Sequence, residues 1–321
     1  MKKFVALITV FVMILSLFAG CGAKSAGYRV AIVQQLEHSS LDEIRHAIEA
    51  RINALAEEKG FQVEIETFNG QNDPSLLNQI GTQVVADGFD IIIPIATLAA
   101  QCMVTAADGT DIPIVYAAIS DPAAAGLTDL PNVTGTSDAL NTPFILDMML
   151  AVQPDIQTVG LLYSNSEANS AAPIAEAKEY LDSKGIAYLE KTGNNPGEIV
   201  EAANALVGRV DAVFTPTDNV VMSAEAAVAE ILNEAGIPHY AGADSFVLSG
   251  AFATCGVNYS ELGFRTAEMA VDILLGGEVP VYHVMDGGII TVNTDTASAL
   301  ELDYSPFRQM AATILEVATI S

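Results

Sequence analysis

The sequence predicts an α/β protein built as two Rossmann-like, doubly wound lobes, and three observations carry that prediction. At 321 residues, 51% of them hydrophobic and 17% charged, the chain is long for a single core and too apolar to be disordered. Short apolar runs alternate with amphipathic helical patterns, as in parallel strands joined by helical crossovers. The pattern also occurs twice. Val30-Ala31-Ile32-Val33 and Lys59-Gly60 correspond to Val159-Gly160-Leu161-Leu162 and Lys184-Gly185. Asp90-Ile91-Ile92-Ile93-Pro94 corresponds to Asp211-Ala212-Val213-Phe214-Thr215-Pro216, and Ile112-Pro113 to Ile237-Pro238. Near-constant spacing between the copies means one βα architecture used twice.

Residues 1–20 stand apart from both lobes. Lys2 and Lys3 precede an apolar run, Phe4 to Phe18, which is short for a bilayer span and ends in Ala19-Gly20-Cys21. This is the pattern of an export signal with a lipoprotein cleavage site, the thiol of Cys21 accepting the lipid. Residues 21–27 then form a tether, and the protein is expected outside the cytoplasm, anchored to the membrane through that lipid.

The first lobe is expected over 28–136 and 257–280, and the second over 137–256 and 281–321. In the first, Tyr28 to Gln34 reads as a strand. Ser40-Leu41-Asp42-Glu43 reads as a capping box opening a helix whose apolar face is Leu41, Ile44, Ile48, Ile52 and Leu55, and Gly60 closes it. Strands follow at Gln62 to Thr67, Phe89 to Ile95 and Ile112 to Ile119, with helices near Ser75 to Ala86 and Leu98 to Ala107. The second lobe repeats this with strands near Thr158 to Tyr163, Ala187 to Lys191, Asp211 to Thr215 and His239 to Gly242. All are expected to be parallel. Glu261 to Leu275 is a further amphipathic helix, stopped by Gly276-Gly277, and Ile289 to Val292 is a last apolar strand. Cys102 and Cys255 are expected as buried thiols.

Thirteen basic residues against 40 acidic ones give a net charge of −27, which excludes nucleic acid as a partner. Enzyme signatures are missing: there is no G-x-S-x-G elbow, phosphate-binding loop, H-E-x-x-H or C-x-x-C, and the four histidines lack metal-ligand spacing. No catalytic residue, metal or cofactor is therefore expected. The polar residues collect instead in the loops that a doubly wound sheet places at the carboxyl ends of its strands, where ligands bind. These are Glu37 and His38, Thr97, Ser120 and Asp121 in the first lobe. In the second they are Ser166, Glu167 and Asn169, then Thr217 and Asp218, then Asp244. Ser, Thr, Asp and Asn are also the preferred helix caps, so each alone reads equally well as structure. Asp121 and Asp244, beyond corresponding strands of both lobes, are the residues that capping leaves unexplained. A buried carboxylate needs a cation, and a ligand ammonium supplies one. That favours an amino-acid zwitterion. Tyr116, Tyr163 and Phe246 lie near strand ends and read as core packing.

The chain resembles the lipoprotein substrate-binding components of ABC transporters that include tryptophan- and phenylalanine-type binding proteins. The matching stretches are Glu37-His38-Ser39-Ser40-Leu41-Asp42, Ile95-Ala96-Thr97-Leu98-Ala99-Ala100-Gln101, Ser120-Asp121-Pro122, Asn132-Val133-Thr134-Gly135, Tyr163 to Ser170, Thr215-Pro216-Thr217-Asp218-Asn219 and Leu262-Gly263. The family commonly has Pro where this chain has Ser40 and Leu98. The resemblance implies the type I periplasmic-binding fold, with a three-segment hinge near Gly135 to Asn141, Cys255 to Tyr259 and Pro280 to Asp286. It further implies an aromatic amino-acid ligand, an ABC permease and ATPase as partners, and a monomer. A nucleoside, a sugar or a branched-chain amino acid as ligand, or an extracellular sensor role, are the alternatives on the same fold.

Overall fold

The computed structural model describes residues 27–320. The predicted signal segment and Cys21 lie outside the described residues. Two sheets organise the rest. The first contains β1 (Tyr28–Gln34), β2 (Val63–Asn69), β3 (Ile91–Ile95), β4 (Ile114–Tyr116), β5 (Val133–Ser137) and the two-residue β11 (His283–Val284), in the order β2-β1-β3-β4-β5-β11. The second contains β6 (Thr158–Tyr163), β7 (Ala187–Thr192), β8 (Ala212–Thr215), β9 (His239–Ala241), β10 (Ala253–Gly256), β12 (Ile289–Asn293) and β13 (Thr313–Val317), in the order β7-β6-β8-β9-β10-β12-β13. The first five strands of each sheet thus share one order, second-first-third-fourth-fifth, as the sequence repeat requires.

The repeated residues do the same work in both copies. Asp90 Oδ2 accepts the Arg29 amide at the start of β1 (2.7 Å), and Asp211 Oδ2 accepts the Thr158 amide at the start of β6 (2.8 Å). The carbonyl of Pro113 receives the Ile92 amide, and that of Pro238 the Val213 amide. Gly60 and Gly185 end equivalent helices with φ of 74° and 69°, in the left-handed region where a Cβ would be strained.

Helices cover both faces of each sheet. In the first lobe these are α1 (Ser39–Lys59), α2 (Pro74–Ala86) and α3 (Thr97–Ala106); in the second, α4 (Thr142–Val152), α5 (Ala168–Lys184), α6 (Pro196–Asn204), α7 (Asn219–Met222), α8 (Glu225–Glu234) and α9 (Asp244–Leu248). Helix α10 (Tyr259–Leu274) returns to the first lobe, and α11 (Thr294–Ala299) closes the second. Strand alternation explains the layers: Val30, Ile32, Ile91 and Ile93 pack under α1 and α10, whereas Ala31, Val33 and Ile92 pack under α2 and α3.

The chain passes between the sheets three times, after Ser137, after Gly256 and after Val284. The third passage corrects the sequence boundary at 280/281, because His283 and Val284 pair with Thr136 and Ser137 at the edge of the first sheet. The eight strands expected to be parallel, from Tyr28 to Gly242, pair in parallel throughout. Strand β12 enters the second sheet from the hinge and runs antiparallel to β10. The fourth strand begins only at Ile114, after Pro113, which has no amide to give, and ends at Tyr116, before Ala118, at φ 56°, turns the backbone out of the extended region. The capping box does not form either. His38 is the N-cap residue, Ser40 turns to meet Ser245, and Glu43 accepts a hydrogen bond from Ser260 of α10 (2.6 Å). Cys102 and Cys255 are buried and free.

Candidate functional site

The carboxyl ends of both sheets face each other, and the loops that follow them meet across the seam between the lobes. The space left there is small, about 20 Å³. Side-chain hydrogen bonds bridge the lobes around it, so an organic solute enters only as the lobes part.

From the first lobe, His38, Ser40 and Leu41 at the start of α1, Thr97 at the start of α3, Ser120 after β4, and Asp138 after β5 line this space, with Tyr259 at the start of α10. From the second come Asn169, Thr217, Asp218, Asn219, Met222 and Phe246. Hydrogen bonds close the seam: Ser120 Oγ to Thr217 Oγ1 (3.0 Å), Gln35 Nε2 to Glu167 Oε1 (2.9 Å), His38 Nε2 to Asn219 Oδ1 (3.0 Å), and Ser40 to Ser245.

Three buried carboxylates at the seam differ in how they are satisfied. Asp218 accepts four hydrogen bonds, from the Ser164, Val220 and Val221 amides and the Ser170 hydroxyl. Its capacity is spent on holding the β6 loop and capping α7, so its side chain is structural although it lines the cavity. Glu167 accepts Gln35 on one oxygen and Asn219 (2.7 Å) on the other; burial, reinforced by Asp218, lifts its pKa to about 7. It links the lobes behind the cavity wall. Asp138 is 5% exposed and receives one hydroxyl on each oxygen, from Ser120 (3.0 Å) and Tyr259 (3.1 Å). Burial raises its pKa, and among the described residues no lysine or arginine forms a salt bridge with it.

Asp138 takes the place expected for Asp121, and Asp244 stands close by. Asp121 caps the turn at Ala124 (2.9 Å) and lines a separate surface groove between Pro122 and Glu176. Asp244 opens α9 next to the wall residue Ala243; its Oδ1 is buried without a hydrogen bond among the described residues, and burial and the nearby Glu43 push its pKa up to about 6. Two further expectations fail because the loops turn outward. Glu37 and Ser166 are exposed, the latter bonded to Ser164 within its own turn (2.7 Å). His38, Thr97, Ser120, Asn169 and Thr217 come together as predicted from their loops. Asn169 donates to the Thr217 carbonyl (2.7 Å), which fixes that loop.

Residues absent from the sequence reading of the site complete it. Phe246 is wall, not only core, and stands edge-on to the buried His239 ring at 6.4 Å. Asn219 ends the Thr217-Asp218-Asn219 stretch and was open to recognition. Asp138 hid inside a segment read as hinge because β5, which carries it to the cleft, has weak strand character in Val133-Thr134-Gly135-Thr136-Ser137.

The family model for ABC transporter substrate binding proteins matches residues 29–307. The tyrosine-binding protein of Clostridioides difficile (strain R20291) is 32% identical over 94% of this chain and 93% of its own length. Among solved structures, the ABC domain in complex with L-Trp from Streptococcus pneumonia is 29% identical, with a TM-score of 0.83 over 90% of this chain and all of that one. A ligand-free, open substrate binding protein with adhesive properties from Clostridium difficile is 33% identical, with a TM-score of 0.67 over 91% of this chain and all of that one. The better match to the complex than to the open form agrees with the bonded seam. Matching sequence over most of its length, and sharing the type I periplasmic-binding fold of two parallel-sheet lobes, this chain belongs to the ABC transporter substrate binding proteins.

Proposed function

We propose that the chain is the extracytoplasmic binding component of an ABC importer, which captures an amino acid with an aromatic side chain between its lobes and delivers it to a permease and ATPase on other chains. The observation that carries this reading is Asp138, a carboxylate buried in the cavity wall with hydroxyl partners and, among the described residues, no salt bridge. A ligand ammonium offsets its desolvation cost. Phe246, Met222 and Leu41 offer an apolar surface to the ligand's ring. The names of the tyrosine-binding and L-Trp-bound relatives support the same class. Ligand touching both lobes favours the closed arrangement over the open one, and that difference is the signal a permease reads.

The test is a thermal-shift panel of the twenty amino acids, nucleosides and sugars on protein freed of bound solute by unfolding and refolding. An aromatic amino acid at 100 times its dissociation constant stabilises by about 2.7 kcal/mol. Asp138→Asn weakens that binding at least ~10-fold while the unliganded melting temperature holds, since a buried charge is removed without loss of volume. A panel silent for amino acids, or unchanged affinity in Asp138→Asn, overturns the reading.

Anchoring through Cys21 belongs to the same proposal and rests on the Ala19-Gly20-Cys21 sequence after its apolar run. Cells fed labelled palmitate should label the wild-type protein and not Cys21→Ala; equal labelling removes the anchor.

A further inference from the structure

We propose that His38 makes the cleft selective for ligands whose side chain carries a hydrogen-bond donor, a phenolic O–H or an indole N–H, over a plain phenyl ring. The proposal rests on the reading of the cleft as an aromatic amino-acid site.

A chain of hydrogen bonds fixes which ring nitrogen of His38 carries the proton. It starts at a donor that has no alternative, the backbone N–H of Leu98, which bonds Gln35 Oε1 (3.0 Å). That orients the Gln35 amide so that its nitrogen donates to Asn72 Oδ1 and to Glu167 Oε1, both at 2.9 Å. Above its pKa of about 7 Glu167 is ionised and only accepts, so the group facing its other oxygen at 2.7 Å is the Asn219 amide nitrogen. Asn219 therefore turns its carbonyl oxygen to His38 Nε2 (3.0 Å), and Nε2 carries the hydrogen. Burial lowers the His38 pKa and keeps the ring neutral. The remaining nitrogen, Nδ1, is left as an acceptor. It is buried, makes no hydrogen bond among the described residues, and does not cap α1 although His38 is the N-cap residue.

Nδ1 thus belongs to a residue of the cavity wall and lacks a donor. The ligand ammonium is drawn to the carboxylates of Asp138 and Asp244, neither of which forms a salt bridge among the described residues. What remains to satisfy Nδ1 is the side chain. A site built to pair a ligand O–H or N–H discriminates strongly against the analogue lacking it, because the buried acceptor then stays unpaired.

The experiment is calorimetry at pH 8, above the Glu167 value of about 7, with L-Tyr, L-Trp and L-Phe. Wild type is expected to bind L-Tyr or L-Trp at least ~10-fold more tightly than L-Phe. His38→Gln keeps a donor towards Asn219 and loses the acceptor at the Nδ1 position. It should bring the favoured ligand to within about twofold of L-Phe, the favoured ligand losing at least ~5-fold more affinity than L-Phe does. His38→Asn, whose carbonyl falls near the Nδ1 position, should keep part of the preference. Equal wild-type affinities for all three ligands overturn the proposal while leaving the aromatic reading intact. So does an equal loss for all three in His38→Gln, which would put the ammonium at His38. If none of the three binds, the aromatic reading fails and the proposal falls with it.

Discussion

Glu167 shows how much one side chain can do when water is removed from around it. Its two oxygens join Gln35 of the first lobe to Asn219 of the second, with Asp218 as a like-charged neighbour and His38 one hydrogen bond further on. Desolvation comes first among the causes that lift its pKa from the ordinary 4.5 to about 7, and the Asp218 charge second. The native state thus binds a proton that the unfolded chain has released by neutral pH. The associated stability is fully present below about 4.5 and is lost as pH rises through about 7. Urea midpoints of the unliganded protein should fall between pH 5 and pH 8, and fall less in Glu167→Gln. Asp138 and Asp244, also raised by burial, act in the same direction in both proteins, so the difference between the two slopes reports the Glu167–Asp218 pair, whose protons are shared by two interacting sites. Parallel slopes would show that the carboxylate is not held in this environment.

At the scale of elements, the pairing of α1 with α10 decides whether the first lobe presents its site residues correctly. Helix α1 begins at the cavity with His38 and Ser40, and α10 begins there with Tyr259. The two helices approach closely at Gly263, where an added Cβ would lie 2.6 Å from Ala47 Cβ and 2.8 Å from the Ile44 carbonyl. Backbone cannot yield as a flexible side chain does, so the helices must separate to admit a methyl group. Gly263→Ala should therefore destabilise by about 1–3 kcal/mol in urea unfolding. Stability within error of wild type would mean that the helices slide apart freely. Ser260 donating to Glu43 and Arg51 bonding Glu268 (2.6 Å) tie the same pair at its flanks.

For the whole molecule the central quantity is the balance between lobes apart and lobes together. The hydrogen bonds from Gln35, His38, Ser40 and Ser120 form only when the lobes meet, and three chain passages permit the movement. Asn219 makes one of these links directly, to His38, and braces another from within its own lobe by holding the Glu167 that accepts from Gln35. Asn219→Ala should shift the unliganded protein towards the open arrangement, read as a larger radius of gyration in small-angle scattering than wild type. Saturating ligand should restore the compact value, because bound solute supplies contacts to both lobes. Indistinguishable scattering profiles would assign closure to other contacts.

The sequence by itself determined the two-lobed doubly wound plan, because hydrophobic periodicity and its repetition are local properties of the chain. Asp90 with Asp211, Pro113 with Pro238, and Gly60 with Gly185 could be paired before any strand was placed, and each pair performs one task in two copies. It likewise placed His38, Thr97, Ser120, Asn169 and Thr217 in loops at the carboxyl ends of strands. Only the tertiary structure decided which polar residue faces what. Asp121 and Asp218 are carboxylates in the right loops, yet backbone amides claim them, while Asp138 stands at the end of a strand too polar to be recognised and has no salt-bridge partner among the described residues. The antiparallel β12 and the return of His283 and Val284 to the first sheet were equally hidden. The reason is physical: periodicity records which face of an element is buried, whereas the fate of a carboxylate depends on donors that arrive from residues far away in the chain.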